Sequence, residues 1–182
     1  MKYPLKELLT KKDVTIGVVG AGTMGRGIAQ VAAMAGMKTI VCDLGQEALD
    51  TAKASLEKIL SRLVEKEKIT EDKKQAALAC IEFSTNTSSL KSCHMVVEAI
   101  VENLDIKAKL FQQLDDIVAQ DCILATNTSS LSVTELAAKT KYPQRVAGLH
   151  FFNPVPLMKV VEVIKGPVTD SEVTVALKDW VK

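Results

Sequence analysis

What this chain lacks narrows it first. Its 182 residues carry 23 Lys+Arg against 22 Asp+Glu, a formal net charge of +1, so neither sign is in excess. A chain without clustered Lys and Arg has no electrostatic footprint for nucleic acid or for an anionic lipid surface, and neither partner is expected. Long apolar runs are missing as well. The longest uncharged stretches, Cys122 to Thr134 and Val146 to Met158, fall well short of the ~20 residues that a membrane span needs. The amino end, Met-Lys-Tyr-Pro-Leu-Lys-Glu, mixes acid with base and has no apolar h-region, so it resembles neither a signal peptide nor a transit peptide. Four cysteines, Cys42, Cys80, Cys93 and Cys122, show no C-x-x-C spacing, and three lie in or beside apolar runs. Buried, reduced thiols in a cytoplasmic protein are the expectation, with a metal or redox role as the alternative; no metal site is expected.

What is present is an ordinary globular composition, 47% hydrophobic and 25% charged, long enough to bury one core. After a charged leader over residues 1–13, Val14 to Val19 is a β-branched run that reads as a strand buried on both faces. The turn Gly20-Ala-Gly-Thr-Met-Gly follows at once. Helical spacing of Ile28, Ala29, Val31, Ala32 and Ala35 then predicts a helix from Met24 to Ala35, stopped at Gly36. Thr39 to Cys42 reads as a second strand ending at Asp43, and strand, turn, helix, strand makes a β-α-β unit, which requires a parallel sheet. Two helices come next, Glu47 to Val64 with one apolar face, and a second capped by Thr70 and running to about Cys80. This helical hairpin, about 47–80, is either padding or part of a site. Further strands are expected at Ile81 to Phe83, Met95 to Glu98, Ile123 to Thr126, Val146 to Leu149 and Lys159 to Ile164, the last nearer a sheet edge. A helix capped by Asn103 lies among them. Thr169-x-x-Glu172 reads as a capping box opening a last helix, whose apolar pattern is still running at Lys182; a cut inside a longer protein is the expectation.

The glycines of the turn have separate mechanical tasks. Gly20 permits a tight turn, Gly22 lets a pyrophosphate approach the backbone, and Gly25 lets the helix pack closely on the strand, while the helix N-terminus offers free N–H groups to phosphates. With an acid closing the second strand, the pattern predicts dinucleotide binding. Asp43 would accept from the adenosine ribose hydroxyls and repel a 2′-phosphate, favouring NAD over NADP; the alternative for Asp43 is a plain turn residue.

Of the two histidines, His94 reads as a surface loop residue. His150 ends a strand in Gly148-Leu-His-Phe-Phe-Asn-Pro and points to the crevice where doubly wound sheets bind ligands. Glu162 is a lone acid in Val160-Val-Glu-Val-Ile, and a buried carboxylate must find a partner or take up a proton. Strand adjacency makes His150 that partner. Such a pair either orients a general base or is a satisfied structural contact.

Taken in order, Gly20-Ala-Gly-Thr-Met-Gly, Val97-Glu-Ala-Ile-Val-Glu-Asn, Asn127-Thr-Ser-Ser, Gly148-Leu-His-Phe-Phe-Asn-Pro and Val160-Val-Glu-Val-Ile resemble the amino-terminal half of the L-3-hydroxyacyl-CoA dehydrogenases, from about Val14 onward. The resemblance implies an α/β, doubly wound, Rossmann-type and mostly parallel sheet over residues 14–182, with the helical hairpin inserted after strand two. It implies NAD as cofactor and reversible oxidation of the 3-hydroxyl of an acyl-CoA. By the matching motifs His150 would take the hydroxyl proton, Glu162 would hold His150, and Ser129 would hydrogen-bond the reacting oxygen. Gly20, Gly22, Thr23, Met24, Gly25, Asp43, Ala99 and Asn127 would contact the cofactor. Glu102, Lys107 and Asn153 would sit at its nicotinamide end, with Ser129 serving cofactor and substrate alike and Asn153 also facing substrate. Ser130 would only continue the turn. The hairpin would lie along the CoA, with Lys66 either touching its phosphates or solvated.

The resemblance also implies a further helical domain that closes the site and forms the dimer, and this domain is expected to be absent from the chain. The chain is therefore expected to bind NAD with little turnover, and to expose an apolar patch near Phe151, Phe152 and the final helix. Two other functions stay open, a noncatalytic dinucleotide-binding sensor module and a β-hydroxyacid dehydrogenase whose substrate carries no CoA.

Overall fold

Short β-branched segments separated by amphipathic helices leave few ways to bury both faces of each strand, and the chain takes the doubly wound one. The computed structural model describes residue 3, residue 7 and residues 13–182. Apart from residues 3, 7 and 13, the expected leader lies outside the described residues. The strands β1 (Thr15–Val19), β2 (Lys38–Cys42), β3 (Ile81–Ser84), β4 (Met95–Glu98), β5 (Ile123–Thr126), β6 (Val146–Phe151) and β7 (Val161–Ile164) form one sheet. Its order is β3-β2-β1-β4-β5-β6-β7. The first six strands are parallel, and β7 returns antiparallel to β6 at the edge.

Alternation along the strands feeds two cores. Ile16, Val18, Met95, Val97, Ile123, Ala125, Ala147 and Leu149 face one side, together with Ile28, Ala29 and Ala32 of helix α1 (Thr23–Met34). Val19, Val96, Leu124 and Val146 face the other. The hairpin is α2 (Gln46–Glu65) and α3 (Glu71–Ala79), close to the expected bounds. It packs on α1 through Leu60, Ala77 and Ala33, and the Thr70 hydroxyl caps α3 as expected. Helix α4 (Leu104–Ile117), capped by Asn103, buries Leu110, Phe111 and Leu114 in the second core.

Several expectations need correction. A short helix, α5 (Val133–Ala138), follows β5; the Ser132 hydroxyl caps it by accepting from the Glu135 amide. The last helix, α6 (Ser171–Trp180), is capped by Asp170 and not Thr169. The Thr169 hydroxyl is already committed, donating to the Val146 carbonyl at 2.6 Å and accepting from the Gly166 amide at 3.0 Å. His94 lies in a loop as expected but is half-buried, and its Nδ1 accepts from the Thr15 amide at 3.0 Å, tying the start of β1 to the residue before β4. Strand β7 starts at Val161, two residues later than expected. Phe151 itself packs edge-on against Trp180, and Val173, Ala176 and Leu177 are buried, while Phe151, Met158, Val160, Trp180 and Val181 line one groove. Exposed apolar side chains do stand close by, Val175 on α6 and Leu157, Met158 and Val160 in the loop leading to β7.

Cys42, Cys93 and Cys122 are buried, Cys80 is half-buried, and all four are free. Among the described residues no helix is long and apolar enough to cross a membrane, and no cluster of His, Cys, Asp and Glu could hold a metal ion.

Candidate dinucleotide and active site

The strand order reverses between β1 and β4, and the crevice beyond the carboxyl ends of these strands is where such sheets receive ligands. Gly20 leaves β1 with φ +104°, a conformation that suits glycine, and its amide donates to the Cys42 carbonyl at 2.8 Å. A Cβ on Gly25 would lie 1.8 Å from the Gly20 carbonyl oxygen, so helix and turn touch through bare backbone. A Cβ on Gly22 would meet nothing within 4 Å. That open side, at the N-cap of α1, is the space a pyrophosphate needs beside the unpaired first-turn amides of the helix.

Asp43 sits at the end of β2 and fastens this turn. Its Oδ2 accepts from the Ala21 amide at 2.8 Å and its Oδ1 from the Gly45 amide at 2.9 Å. Gly20, Gly22, Asp43 and Ala99 share a cavity of about 590 Å³ whose other walls include Leu44, Ile100, Val101, Ile106 and Leu110. The residues present fit a dinucleotide: a glycine cradle for phosphates, a fixed carboxylate for ribose hydroxyls, and apolar walls for a flat base. Leu44 and Val101 carry no signal in the sequence, being apolar residues outside any periodic stripe, while Ile106 extends the stripe of Leu110 and Leu114 to the exposed start of α4.

Across the switch point, Glu102 collects donors from the turn after β5. Its Oε1 accepts from the Thr128 hydroxyl at 2.5 Å, the Ser129 amide at 3.0 Å, the Ser130 hydroxyl at 3.3 Å and the Ser129 hydroxyl at 3.4 Å. Its Oε2 faces the Lys107 ammonium at 3.2 Å. Ser130 therefore does more than continue the turn. Burial pushes the Glu102 carboxyl up, but Thr128, Ser129 and Lys107 stabilise the anion and together hold it at about 2. Stability from this group is complete above the ordinary value of 4.5 and is lost as the pH falls toward about 2. Glu102→Gln should flatten that part of the acid limb, and urea unfolding followed between about pH 5 and pH 2 checks it.

Lys107 is 1% exposed. Its ammonium is held by Glu98, Glu102 and the Ile100 carbonyl, so it reaches the crevice through Glu102. Asn127 does not present its side-chain oxygen to the crevice either: its Oδ1 accepts from the Phe151 amide at 2.9 Å and joins the ends of β5 and β6.

His150 and Glu162 are direct cross-strand partners, and Nδ1 lies 2.8 Å from Glu162 Oε2. The reason given for their pairing needs correction, because Glu162 is exposed on the edge strand, not buried. The His150 ring leans on Phe152, with centroids 4.6 Å apart. With Nδ1 engaged by a carboxylate, Nε2 is the nitrogen left to act as a base.

Thr23 and Asn153 meet in a groove of about 740 Å³ between α1, the hairpin and the loop after β6, and Arg26 and Lys68 also line it. Met24 is half-buried against the first core. Lys66, exposed at the C-cap of α2, is not among the residues lining this groove; Lys68 is.

A family model described as "3-hydroxyacyl-CoA dehydrogenase, NAD binding domain" matches residues 15–182. A 3-hydroxybutyryl-CoA dehydrogenase from Clostridioides difficile is 46% identical over 159 residues, covering 87% of this chain and 56% of its own length. The mitochondrial hydroxyacyl-coenzyme A dehydrogenase of Mus musculus is 45% identical over 184 residues, covering 97% of this chain and 57% of its own. The crystal structure of 3-hydroxybutyryl-CoA dehydrogenase from Escherichia coli K12 superposes with a TM-score of 0.91 at 41% identity, over 92% of this chain and 36% of that one. The chain thus spans about half the length of the curated relatives it matches.

Proposed function

Because the chain belongs to the 3-hydroxyacyl-CoA dehydrogenase family and is its NAD-binding domain, we propose that it serves an enzyme interconverting a (S)-3-hydroxyacyl-CoA and its 3-ketoacyl-CoA. The observation that carries this reading is the His150–Glu162 pair near the carboxyl end of β6, in the same sheet whose β1 ends in a complete glycine turn. A noncatalytic module would need the turn but not the pair. NAD, when bound, supplies the acceptor for the two electrons that leave the carbon bearing the hydroxyl. Gly20, Gly22, Gly25 and Asp43 would hold it, with Thr23, Met24, Ala99 and Asn127 around them and Glu102, Lys107 and Asn153 toward its nicotinamide end.

His150 Nε2 takes the proton of the 3-hydroxyl, Glu162 keeps the ring in the tautomer that can do so, and Ser129 donates to the same oxygen. Asn153 faces the substrate in the groove beside α1, and the CoA lies along the hairpin, where Arg26 and Lys68 line the groove and Lys66 stands nearby. A second, helical domain completes the acyl site and forms the dimer. The free thiols suit a reducing compartment, and we place the protein in the cytoplasm.

Calorimetric titration tests the cofactor reading. The chain should bind NADH more tightly than NADPH, since a 2′-phosphate would meet the Asp43 carboxylate. Asp43→Ala should shrink that preference by roughly tenfold, the loss of one charge-assisted contact together with the repulsion. Equal affinity for both cofactors in the wild type would overturn the role given to Asp43.

A further inference from the structure

Beneath the exposed Ser129 lies a polar arrangement in which Glu102 and Lys107, placed above toward the nicotinamide end, join residues given no role so far. Glu98 ends β4 and is 0% exposed. Its Oε1 accepts from the Lys107 ammonium at 2.5 Å and the Ile100 amide at 2.8 Å; its Oε2 accepts from the Thr126 hydroxyl at 2.7 Å. The Thr126 hydroxyl in turn accepts from the Thr128 amide at 3.2 Å, and the Thr128 hydroxyl donates to Glu102, which is bridged to Lys107. The chain of contacts closes on itself: Glu98, Lys107, Glu102, Thr128, Thr126 and back to Glu98.

We propose that Glu98, Lys107 and Thr128 are positioning residues, whose closed ring with Thr126 and Glu102 sets the Asn127–Ser130 turn, and with it Ser129, against the nicotinamide half of the site. The proposal rests on the dinucleotide reading given above. Three observations support it. Thr126, Lys107 and Thr128 are 0%, 1% and 5% exposed, so the ring is anchored away from water, whereas Ser129 and Ser130 are exposed at its rim. Buried ion pairs are a poor means of gaining stability, because apolar residues of similar volume often serve equally well; holding a geometry is what this ring contributes here. Its place is also specific. It joins the carboxyl ends of β4 and β5, across the switch point from Asp43, so it faces the mononucleotide half that Asp43 does not. The Thr128 hydroxyl is the joint: besides donating to Glu102 it accepts from the Leu131 amide at 3.0 Å, turning the backbone so that the Ser129 amide points at Glu102. The Ser129 hydroxyl makes only a 3.4 Å contact there and can be handed to a ligand.

The test compares two probes on the same chain. NADH spans both halves of the site, whereas ADP occupies only the adenosine and pyrophosphate half. Thr128→Val keeps the shape and removes the hydroxyl; it should weaken NADH by roughly tenfold or more, the scale of a lost hydrogen bond to a charged group, and leave ADP unchanged. Thr128→Ser restores the hydroxyl and should restore NADH affinity. Lys107→Met should repeat the selective loss. Equal losses for both probes without rescue by Thr128→Ser, or no change for either probe in Thr128→Val, would overturn the proposal. Failure of the wild-type chain to bind ADP or NADH at all would bring down the dinucleotide reading itself, and the ring's role with it.

Discussion

Gly25→Ala should abolish measurable NADH binding and lower the melting temperature as well, whereas Gly22→Val should abolish binding in a chain that melts like the wild type. The two glycines stand in the same turn but meet different neighbours. At Gly25 a Cβ would fall 1.8 Å from the Gly20 carbonyl oxygen and 2.9 Å from its carbon, both backbone atoms that no side-chain rotation can move aside. Gly20 cannot retreat, because its amide is bonded to Cys42 and its own α-carbon faces the Ala99 carbonyl, where a Cβ would lie at 2.6 Å. The helix must then lift off the strand. Overpacking costs about 1–3 kcal/mol where side chains can adjust, and a backbone contact stands at or above the upper end. Lifting α1 also displaces the amides that would meet the phosphates, so affinity falls by roughly a hundredfold or more. At Gly22 nothing lies within 4 Å, so Val fits the protein and fills only the ligand's space. Thermal melts beside fluorescence titrations with NADH separate the two effects. A Gly25→Ala chain that bound NADH within twofold of wild type would show that the close approach of helix and turn is dispensable.

The parts of this molecule that local chemistry dictates could be read from the residues. β1, the glycine turn and α1 were legible because a β-branched run, three glycines at fixed spacing and a helical stripe each act within a few residues. The pairing of His150 with Glu162 was legible from strand adjacency, although for a reason that fails: Glu162 lies exposed on an edge strand, and the register His150 to Glu162, not burial, brings the two together. The ring under Ser129 was beyond reach, since Thr128 and Glu102 are 26 residues apart and meet only because β4 and β5 pair in parallel with α4 crossing between them. Helix α5 has only the capping spacing of Ser132 and Glu135 to announce it, and Thr169 stands at the same spacing from Glu172 although the Val146 carbonyl claims its hydroxyl, a contact no local pattern shows. Local signals fix elements and caps; contacts between strand ends depend on sheet order, which single residues do not encode.

In the longer enzyme to which we assign this chain, His150→Ala should lower kcat by roughly 10²–10⁴-fold, the usual contribution of a positioned general base, with NADH affinity unchanged. The separation follows from the geometry. His150 and Glu162 stand on β6 and β7, outside the cavity shared by the glycine turn and Asp43, so removing the imidazole leaves the adenosine half of the site untouched. Glu162→Gln should also lower kcat, because Nδ1 keeps a hydrogen-bond partner but the imidazolium that forms when Nε2 takes the hydroxyl proton loses the carboxylate at 2.8 Å. Exposure of Glu162 moderates that loss, since water screens the pair, so the defect should be smaller than that of His150→Ala and should grow as salt is lowered. The chain by itself should bind NADH with the affinity of the longer enzyme and yet turn over acetoacetyl-CoA orders of magnitude more slowly. Orientation of reacting groups is worth about 7–11 kcal/mol, and on our proposal part of it comes from the second domain. Steady-state rates and NADH titrations on both lengths of protein check these points together. Turnover by the chain at the rate of the longer enzyme would mean that His150, Glu162 and Ser129 orient the substrate unaided, and the second domain would then have no part in the chemistry.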